Sequence, residues 1–449
     1  MAKINWVEAL RLERDVAILC QEQEENGVYF DTEKALYYIG LLEYKKSQLY
    51  SLIRPHLNYE VICEEKKNLK EELGLGYVKK ITNKNGSYAS QVINWYDDPS
   101  IVNGPFSRIT IEEPSIGKRG LIINQLLKLG WEPTEFTEKG YPKLTDKGEP
   151  VDTLEKVGDF GKNLSLWYVY SHRQSQIKGF LPHVREDGRI AASLNSVATN
   201  TFRAAHKVVA NIPRPSSVFG KEMRSLFTVK GDRAFVGADV SGLELRMLAH
   251  RMGDLEYINQ ILTGDIHIYN MNMAGLHTRD QAKTFIYAFI YGGGDAKIGS
   301  IIGGSRAAGT KIKHTFFTSI PALEHLINKV KSFATQRGYV PSIDLRKIYI
   351  RKFEGKILAH TAPNAMLQAD GSIVTKRAMI IANKEIKKRG LDAFQIIFYH
   401  DEMAYDSHKD CAQEVGEILI DSMRLAGEYY HLKIPITGEF KIGKDWSIH

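Results

Sequence analysis

The chain has 449 residues, too many for one compact core, and at roughly 150 residues per domain about three domains are expected. Its 43% hydrophobic and 25% charged content is that of a globular protein, no run approaches the ~18 apolar residues of a membrane span, and no signal-peptide core opens the chain. The net charge of +7 permits a polyanionic partner without requiring one, and Cys20, Cys63 and Cys411 share no spacing that would suggest a disulfide framework or a zinc site, so a reducing, cytoplasmic setting is expected.

Residues 6–52 read as two helices punctuated by Gly27 and Asp31-Thr32, with Asp31 as an N-cap. Glu8, Glu13 and Asp15 in the first helix read as a solvated face. Between 76 and 118, Gly, Asn, Pro and Ser recur among short β-type runs such as Ser107-Arg-Ile-Thr-Ile111, which predicts an irregular loop or small sheet between helices. Helical spacing resumes near Leu121–Leu129 and again from about Asp159 to Ile177. Short strands alternate with turns from 180 to 240, residues 254–335 are mainly helical, and 337–360 read as β or loop. In that last stretch Arg337, Arg346, Lys347, Arg351, Lys352 and Lys356 interleave with Tyr339, Tyr349 and Phe353, a composition that suits either a single-stranded template or a solvated β-ribbon. Residues 371–389 predict a basic helix closed by Gly390, and 393–446 give strand, tight turn, strand, helix and a terminal strand-like piece.

Two acidic turns stand out. The apolar run Arg233-Ala-Phe-Val-Gly-Ala238 ends at Asp239, where a strand-end side chain can project into a cleft. Helical spacing follows from Ser241, and Ser241 with Glu244 matches a capping box. The second turn, His400-Asp401-Glu402, is flanked by apolar runs and predicts a hairpin with two carboxylates at its tip. Hard divalent cations take oxygen ligands from one or two carboxylates plus substrate phosphates. Two strand-end aspartates on neighbouring strands can hold a metal pair ~4 Å apart, as nucleotidyl transfer requires. Sequence spacing leaves open whether these strands are neighbours.

Thr278-Arg-Asp-Gln281 is a second capping-box candidate. Arg279, Lys283, Tyr287 and Tyr291 follow at steps of four, forming one helical stripe that Gly292-Gly-Gly294 terminates. Two cations in the first turns oppose the helix dipole, and a bound polyanion such as a triphosphate would offset that cost. A solvated basic face is the other reading, although the two tyrosines suit it poorly.

These segments resemble the motifs of the family A, or DNA polymerase I family, DNA polymerases. Asp239-Val-Ser-Gly-Leu-Glu-Leu-Arg246 resembles the first catalytic motif, and Arg279-x3-Lys283-x3-Tyr287-x3-Tyr291-Gly292 the fingers-helix motif. His400-Asp401-Glu402 resembles the second catalytic motif, and Thr199-x-Thr201-Phe-Arg203 with Asn211-Ile-Pro213 the segment beside the primer end. The likeness is greatest to the bacteriophage replicative branch and runs from about Glu8 to His449, including Gly264-Asp-Ile-His267 and Gln368. It implies an α+β right-hand polymerase with an antiparallel-sheet palm (174–250 and 360–449), helical fingers (251–359) and a helical thumb (1–173). Its partners would be primer–template DNA and deoxynucleoside triphosphates, and its cofactor two Mg2+ ions. Asp239, Asp401 and the Val240 carbonyl would hold the metals, with Glu402 completing the catalytic carboxylates. His267, Arg279 and Lys283 would bind the triphosphate. Tyr287 would lie beside the sugar and Tyr291 beside the nascent base pair, while Glu244 would contact Tyr291 and crowd the ribose 2′ position. Arg203, Asn211, Gln368 and His400 would lie along the DNA.

The chain also departs from that pattern. Phe202 stands where the family has a glycine, which leaves the turn before Arg203 open to change, and a carboxylate, Asp370, replaces a small apolar residue. The stretch at about 77–106, where the phage branch can carry a long insertion for a processivity factor, is short, which leaves such a factor open. By this likeness the chain begins at the thumb, so a proofreading exonuclease is expected, if anywhere, on a separate polypeptide. Two rival readings are a single-subunit RNA polymerase and a catalytically silent DNA-binding subunit. Glu244 and Glu402 favour the DNA enzyme over the first by resemblance, and the intact Asp239, Asp401, Arg279 and Lys283 argue against the second.

Overall fold

The structure is a computed structural model that describes residues 5–448 except 58–59, 64–77, 80–81, 91–92, 94–96, 102–105, 108, 113–114 and 147. The all-apolar run after Arg233 forms an inner strand, β1 (Arg233–Val240), as a run buried on both faces should. It lies in a four-stranded antiparallel sheet of order β2-β3-β1-β4, with β2 Ala393–Tyr399, β3 Glu402–His408 and β4 Gly438–Gly443. A two-residue turn, His400-Asp401, joins β2 to β3.

Helices α1 (Trp6–Asn26), α2 (Leu243–Met252), α3 (Arg279–Ile290), α4 (Ala362–Arg389) and α5 (Ala412–Tyr429) belong with this sheet to one compact unit. Val415, Leu419, Met423 and Ala426 recur at helical spacing on α5 and join a core shared with Val236 and Ala238 of β1, Leu245 and Leu248 of α2 and Ile373 of α4. A buried polar chain fixes the hairpin behind that core. Asn383 on α4 donates to Gln395 Oε1 at 2.9 Å and to the Tyr405 hydroxyl at 2.7 Å, and Gln395 donates to Gln23 on α1 at 2.8 Å. The bulge between Gln395 and Ile397 falls at this point.

Residues Tyr37–Gln176 form a second compact unit. Its core gathers Leu49, Ile53, Ile122, Leu126, Trp131 and Phe160 from the helices Thr32–Ile53, Arg119–Lys128 and Gly158–Phe180 and the segments between them. The expected irregular stretch contains short strands, of which Val78–Lys79 pairs with Phe106–Ser107 inside it and Ile109–Glu112 pairs with Glu60–Cys63 upstream of it; the insertion at about 77–106 lies partly outside the described residues.

Several expectations change. Asp31 does cap its helix, accepting from Lys34 N at 3.0 Å, but the face of Glu8, Glu13 and Asp15 is only partly solvated. Glu13 accepts from Lys376 at 2.7 Å and from Arg346 at 2.5 Å, because α1 lies against α4 rather than against water alone. The expected basic helix begins nine residues earlier than 371, at Ala362, and its middle is buried, Lys376 completely. Only its last turn, Lys387-Lys-Arg389, is a solvated basic end, paired with Glu22, Glu385 and Glu414. In the 337–360 stretch Arg346 is buried, whereas Lys347, Tyr349, Arg351, Lys352, Phe353 and Lys356 are exposed on two short hairpins. A short helix, Gly220–Arg224, interrupts the expected run of strands.

Asp370 is fully buried and does not face a nucleic acid surface. It accepts from Arg251 Nε at 2.6 Å and Nη2 at 2.8 Å, a two-bond pairing of α4 with α2. Asp370→Ala should therefore cost about 3 kcal/mol by leaving Arg251 unpaired, read as a lower melting temperature, with Arg251→Met in addition recovering much of the loss. A melting temperature unmoved by Asp370→Ala would mean the pair contributes nothing.

Candidate active site

The ladder between β1 and β3 pairs Asp239 with Glu402, and on its other side β4 pairs Asp239 with Glu439. That register brings the two acidic turns of the sequence together, with Asp239 near the end of β1 and Asp401 at the neighbouring hairpin tip. Gly438 lets β4 pass close to Asp239, since a Cβ there would collide with the Asp239 carbonyl oxygen. The carboxylates open on a cleft of about 940 Å³ whose lining includes Asp239, Val240, Glu244, Tyr287, Tyr291 and Asp401. His400 occupies a left-handed turn conformation at φ 60°. The His206 ring lies edge to face with His400, centroids 5.1 Å apart, and stacks on Tyr399 at 4.5 Å.

Burial first, and then the neighbouring Glu402, raises the Asp239 carboxyl from its usual 3.8 to about 6. Burial and then Asp239 itself raise Asp401 to about 7. The carboxylates crowd one another more than nearby cations relieve them. Glu402 is differently placed, for it is buried, accepts from Trp446 Nε1 at 2.5 Å and lies 3.6 Å from Arg224, whose guanidinium covers the Trp446 ring at 4.6 Å. Among the described residues no group of three or more His, Cys, Asp or Glu side chains gathers as a ready metal cage. Two crowded carboxylates and the backbone carbonyl of Val240 instead offer hard oxygen donors to a cation that would take its other ligands from water and phosphates.

Glu244 does not close a capping box. Helix α2 starts at Leu243 behind Gly242, which has φ 59° and makes no side-chain cap bond. Glu244 instead accepts from the Tyr291 hydroxyl at 2.8 Å and lies 3.5 Å from Arg203. The box at Thr278 and Gln281 is present and starts α3, from which Tyr287 and, at its C-terminal cap, Tyr291 reach the cleft. Lys283 is exposed on the same helix, and Arg279 donates to Asp265 at 2.7 Å. Asp265 also caps the helix Ile266–Ala274, which carries His267 to 6.3 Å from the Tyr287 ring. Arg203, Glu244, Gln368 and His400 meet around a small adjoining recess. Asn211 is exposed, at φ 53°, beside the cleft residue Ile212. His267, Arg279, Lys283 and Asn211 are not part of the cleft lining itself.

Arg224, Trp446, Tyr399 and Glu439 form part of the site or its support and were not singled out from sequence. Their spacing carries no periodic signal, for Tyr399 and Glu439 come from two strands of the sheet, Arg224 from the short helix Gly220–Arg224 and Trp446 from the turn Trp446–Ile448.

The description DNA polymerase family A matches residues 123–448. The chain is 33% identical over 381 residues to the DNA-directed DNA polymerase of Escherichia phage Phieco32, which covers 66% of this chain and 62% of that protein. It is 29% identical over 502 residues to that of Escherichia phage T7, covering 98% of this chain and 70% of the relative. The chain thus spans less than two thirds of the first of these proteins. The fold is similar to a solved structure described as the POL domain of Pol1 from M. smegmatis in complex with DNA primer-template and dNTP, with TM-score 0.72 and 20% identity over 97% of this chain and 70% of that one.

The charge crowding has a stability consequence. The folded pKa of Asp401 lies above its ordinary value, so the ionised group should lower stability progressively from about pH 4 to about pH 7 and fully above that. In chelator at pH 8, Asp401→Asn should raise the melting temperature by about 2 °C or more, and the difference should vanish near pH 4. A variant that melts lower than the parent at pH 8 would contradict this account of the site.

Proposed function

The chain belongs to DNA polymerase family A, and we propose that it extends a DNA primer along a template with deoxynucleoside triphosphates by two-metal-ion nucleotidyl transfer. The observation that carries this reading is the β1–β3 register, which sets Asp239 beside the hairpin tip bearing Asp401 in a cleft walled by Tyr287 and Tyr291. Members of the family use divalent metal ions, and we assign magnesium here, held by Asp239, Asp401 and the Val240 carbonyl. When bound, such ions activate the attacking 3′ oxygen and offset charge on the reacting and leaving phosphates. Glu402, tied to Trp446 and Arg224, holds the hairpin tip in place and adds negative charge at the site.

The remaining roles follow the helix stripe. Arg279, Lys283 and His267 bind the triphosphate at the start of α3. The Arg279–Asp265 pair is half exposed, and such pairs are weak enough to yield to a phosphate. Tyr287 lies beside the sugar of the incoming nucleotide and Tyr291 beside the nascent base pair. Glu244 anchors Tyr291 and occupies the space a ribose 2′-hydroxyl would need. Arg203, Asn211, Gln368 and His400 lie along the primer–template near its end. In domain terms we assign the palm to 174–250 and 360–449, joined by α1, which shares its core, the fingers to 251–359, and the thumb to the rest of 1–173.

Asp239→Ala or Asp401→Ala should reduce primer extension by at least about a thousandfold while primer–template binding survives, since each removes a ligand worth several kcal/mol in the transition state. Extension near the parental rate in either variant would remove the mechanism. The same assay with ribonucleotides tests the RNA polymerase reading, and failure of any nucleotide to be incorporated with metal present would favour a silent DNA-binding subunit.

Tyr287 should also let the enzyme accept dideoxynucleotides, because a phenolic hydroxyl beside the sugar can replace contacts a missing 3′-hydroxyl no longer makes. Tyr287→Phe should restore their rejection, measured as chain termination at a fixed ratio of dideoxy to deoxy substrate. Equal termination by both proteins would show that Tyr287 has no such role.

A further inference from the structure

Phe202 has φ 59°, in the left-handed region that glycine enters freely and a side chain with a Cβ enters at a cost. It immediately precedes Arg203, whose guanidinium reaches Glu244 at 3.5 Å. A bulky residue keeps such a backbone only where its surroundings over-determine it. Here they do so from two sides. The Ser372 hydroxyl on α4 donates to the Phe202 carbonyl at 2.9 Å. The Arg346 guanidinium lies over the Phe202 ring, 4.4 Å from its centroid.

Arg346 is itself locked. It is 5% exposed, donates through Nε to Asp344 at 2.8 Å and through Nη1 to Glu13 on α1 at 2.5 Å. Glu13 also takes the buried ammonium of Lys376 at 2.7 Å. Arg346 Nη2 is buried and finds no hydrogen-bond partner among the described residues, and the guanidinium carbon lies over the Phe202 ring. A guanidinium fixed by two carboxylates and lying over a ring is a rigid stop for that ring.

We infer that Phe202 is a positioning residue, clamped by Arg346, that holds the left-handed turn before Arg203 and so sets the Arg203 guanidinium against Glu244 and the primer–template. This rests on the polymerase reading above and deepens it. The ring does through packing what a glycine would do through conformational freedom. It also connects Glu13 on the first helix to the DNA-facing side of the site through two side chains.

The test compares the parent with Phe202→Leu, Phe202→Gly and Phe202→Tyr. Leucine keeps bulk but loses the cation–ring contact while still requiring the left-handed backbone. Glycine loses the ring but takes that backbone unaided, and tyrosine keeps both ring and clamp. Steady-state extension is measured with primer–template and nucleotide varied separately, alongside melting temperatures. Phe202→Leu should raise the KM for primer–template about fivefold and leave the KM for nucleotide unchanged, a contact of this size being worth a factor of that order. Phe202→Gly and Phe202→Tyr should return close to the parental KM.

A leucine variant equal to the parent overturns the clamp, as does a glycine variant as poor as the leucine one, which would mean that the ring itself meets DNA. Should the leucine protein fail to fold, the glycine and tyrosine variants decide: parental KM in both supports the clamp, and a fivefold deficit in glycine alone overturns it. If the parent extends no primer at all, the polymerase reading fails. The clamp is then judged separately, by fluorescence anisotropy of labelled primer–template on the same proteins, with the same ordering expected.

Discussion

A single inter-strand register carries the rest of this molecule. Asp239 faces Glu402 across the β1–β3 ladder, and because side chains alternate along a strand, a slip of one residue would turn Asp239 away from the cleft. The register is held by what lies behind it. Val236 and Ala238 sit in the core on the same strand, and the buried chain of Gln23, Gln395, Asn383 and Tyr405 pins β2 and β3 to α1 and α4. These amides and the phenol have specific partners, so a shifted hairpin would leave buried polar groups unmet.

Holding carboxylates so close works against stability. Asp239 and Asp401 are both pushed toward the neutral range by burial and by one another. Burial pushes Glu402 upward as well, but Arg224 and Trp446, supplied by the short helix Gly220–Arg224 and by the chain's last turn, oppose that shift and give its carboxylate partners inside the protein. One carboxylate of the cluster is therefore satisfied inside the protein, while the other two are left facing a cleft where a cation could relieve them. That division between structural and available charge is the chemical basis for assigning metal binding to Asp239 and Asp401.

The departures from the family pattern obey the same logic. Asp370 is neutralised by a two-bond contact with Arg251 inside the core. Phe202 sits in a conformation costly for it, and Arg346 and Ser372 surround it. In each case an unusual residue has its compensating partner on a different element, which explains why the substitution looks anomalous in one dimension and ordinary in three.

The one-dimensional sequence was enough for most of the elements, though not for the helix Gly220–Arg224 or the start of α4, and it singled out the candidate carboxylates. Its helices at 6–26, 32–53 and 279–290, the capping box at Thr278, the acidic hairpin and the terminal strand were legible, because helical spacing, turn chemistry and apolar runs are local properties. The four-step stripe from Arg279 to Tyr291 was legible for the same reason. Which partner each charged side chain meets depends on the three-dimensional packing alone. Glu244 read as a cap and instead holds Tyr291, Glu13 read as solvated and instead holds Arg346 and Lys376, and Asp370 read as anomalous and is buried against Arg251. Neither the meeting of Asp239 with the hairpin tip nor the support from Trp446 and Arg224 leaves a periodic trace, since strand pairing joins residues far apart in the chain and the energy of a charge depends on burial and neighbours that no local pattern encodes.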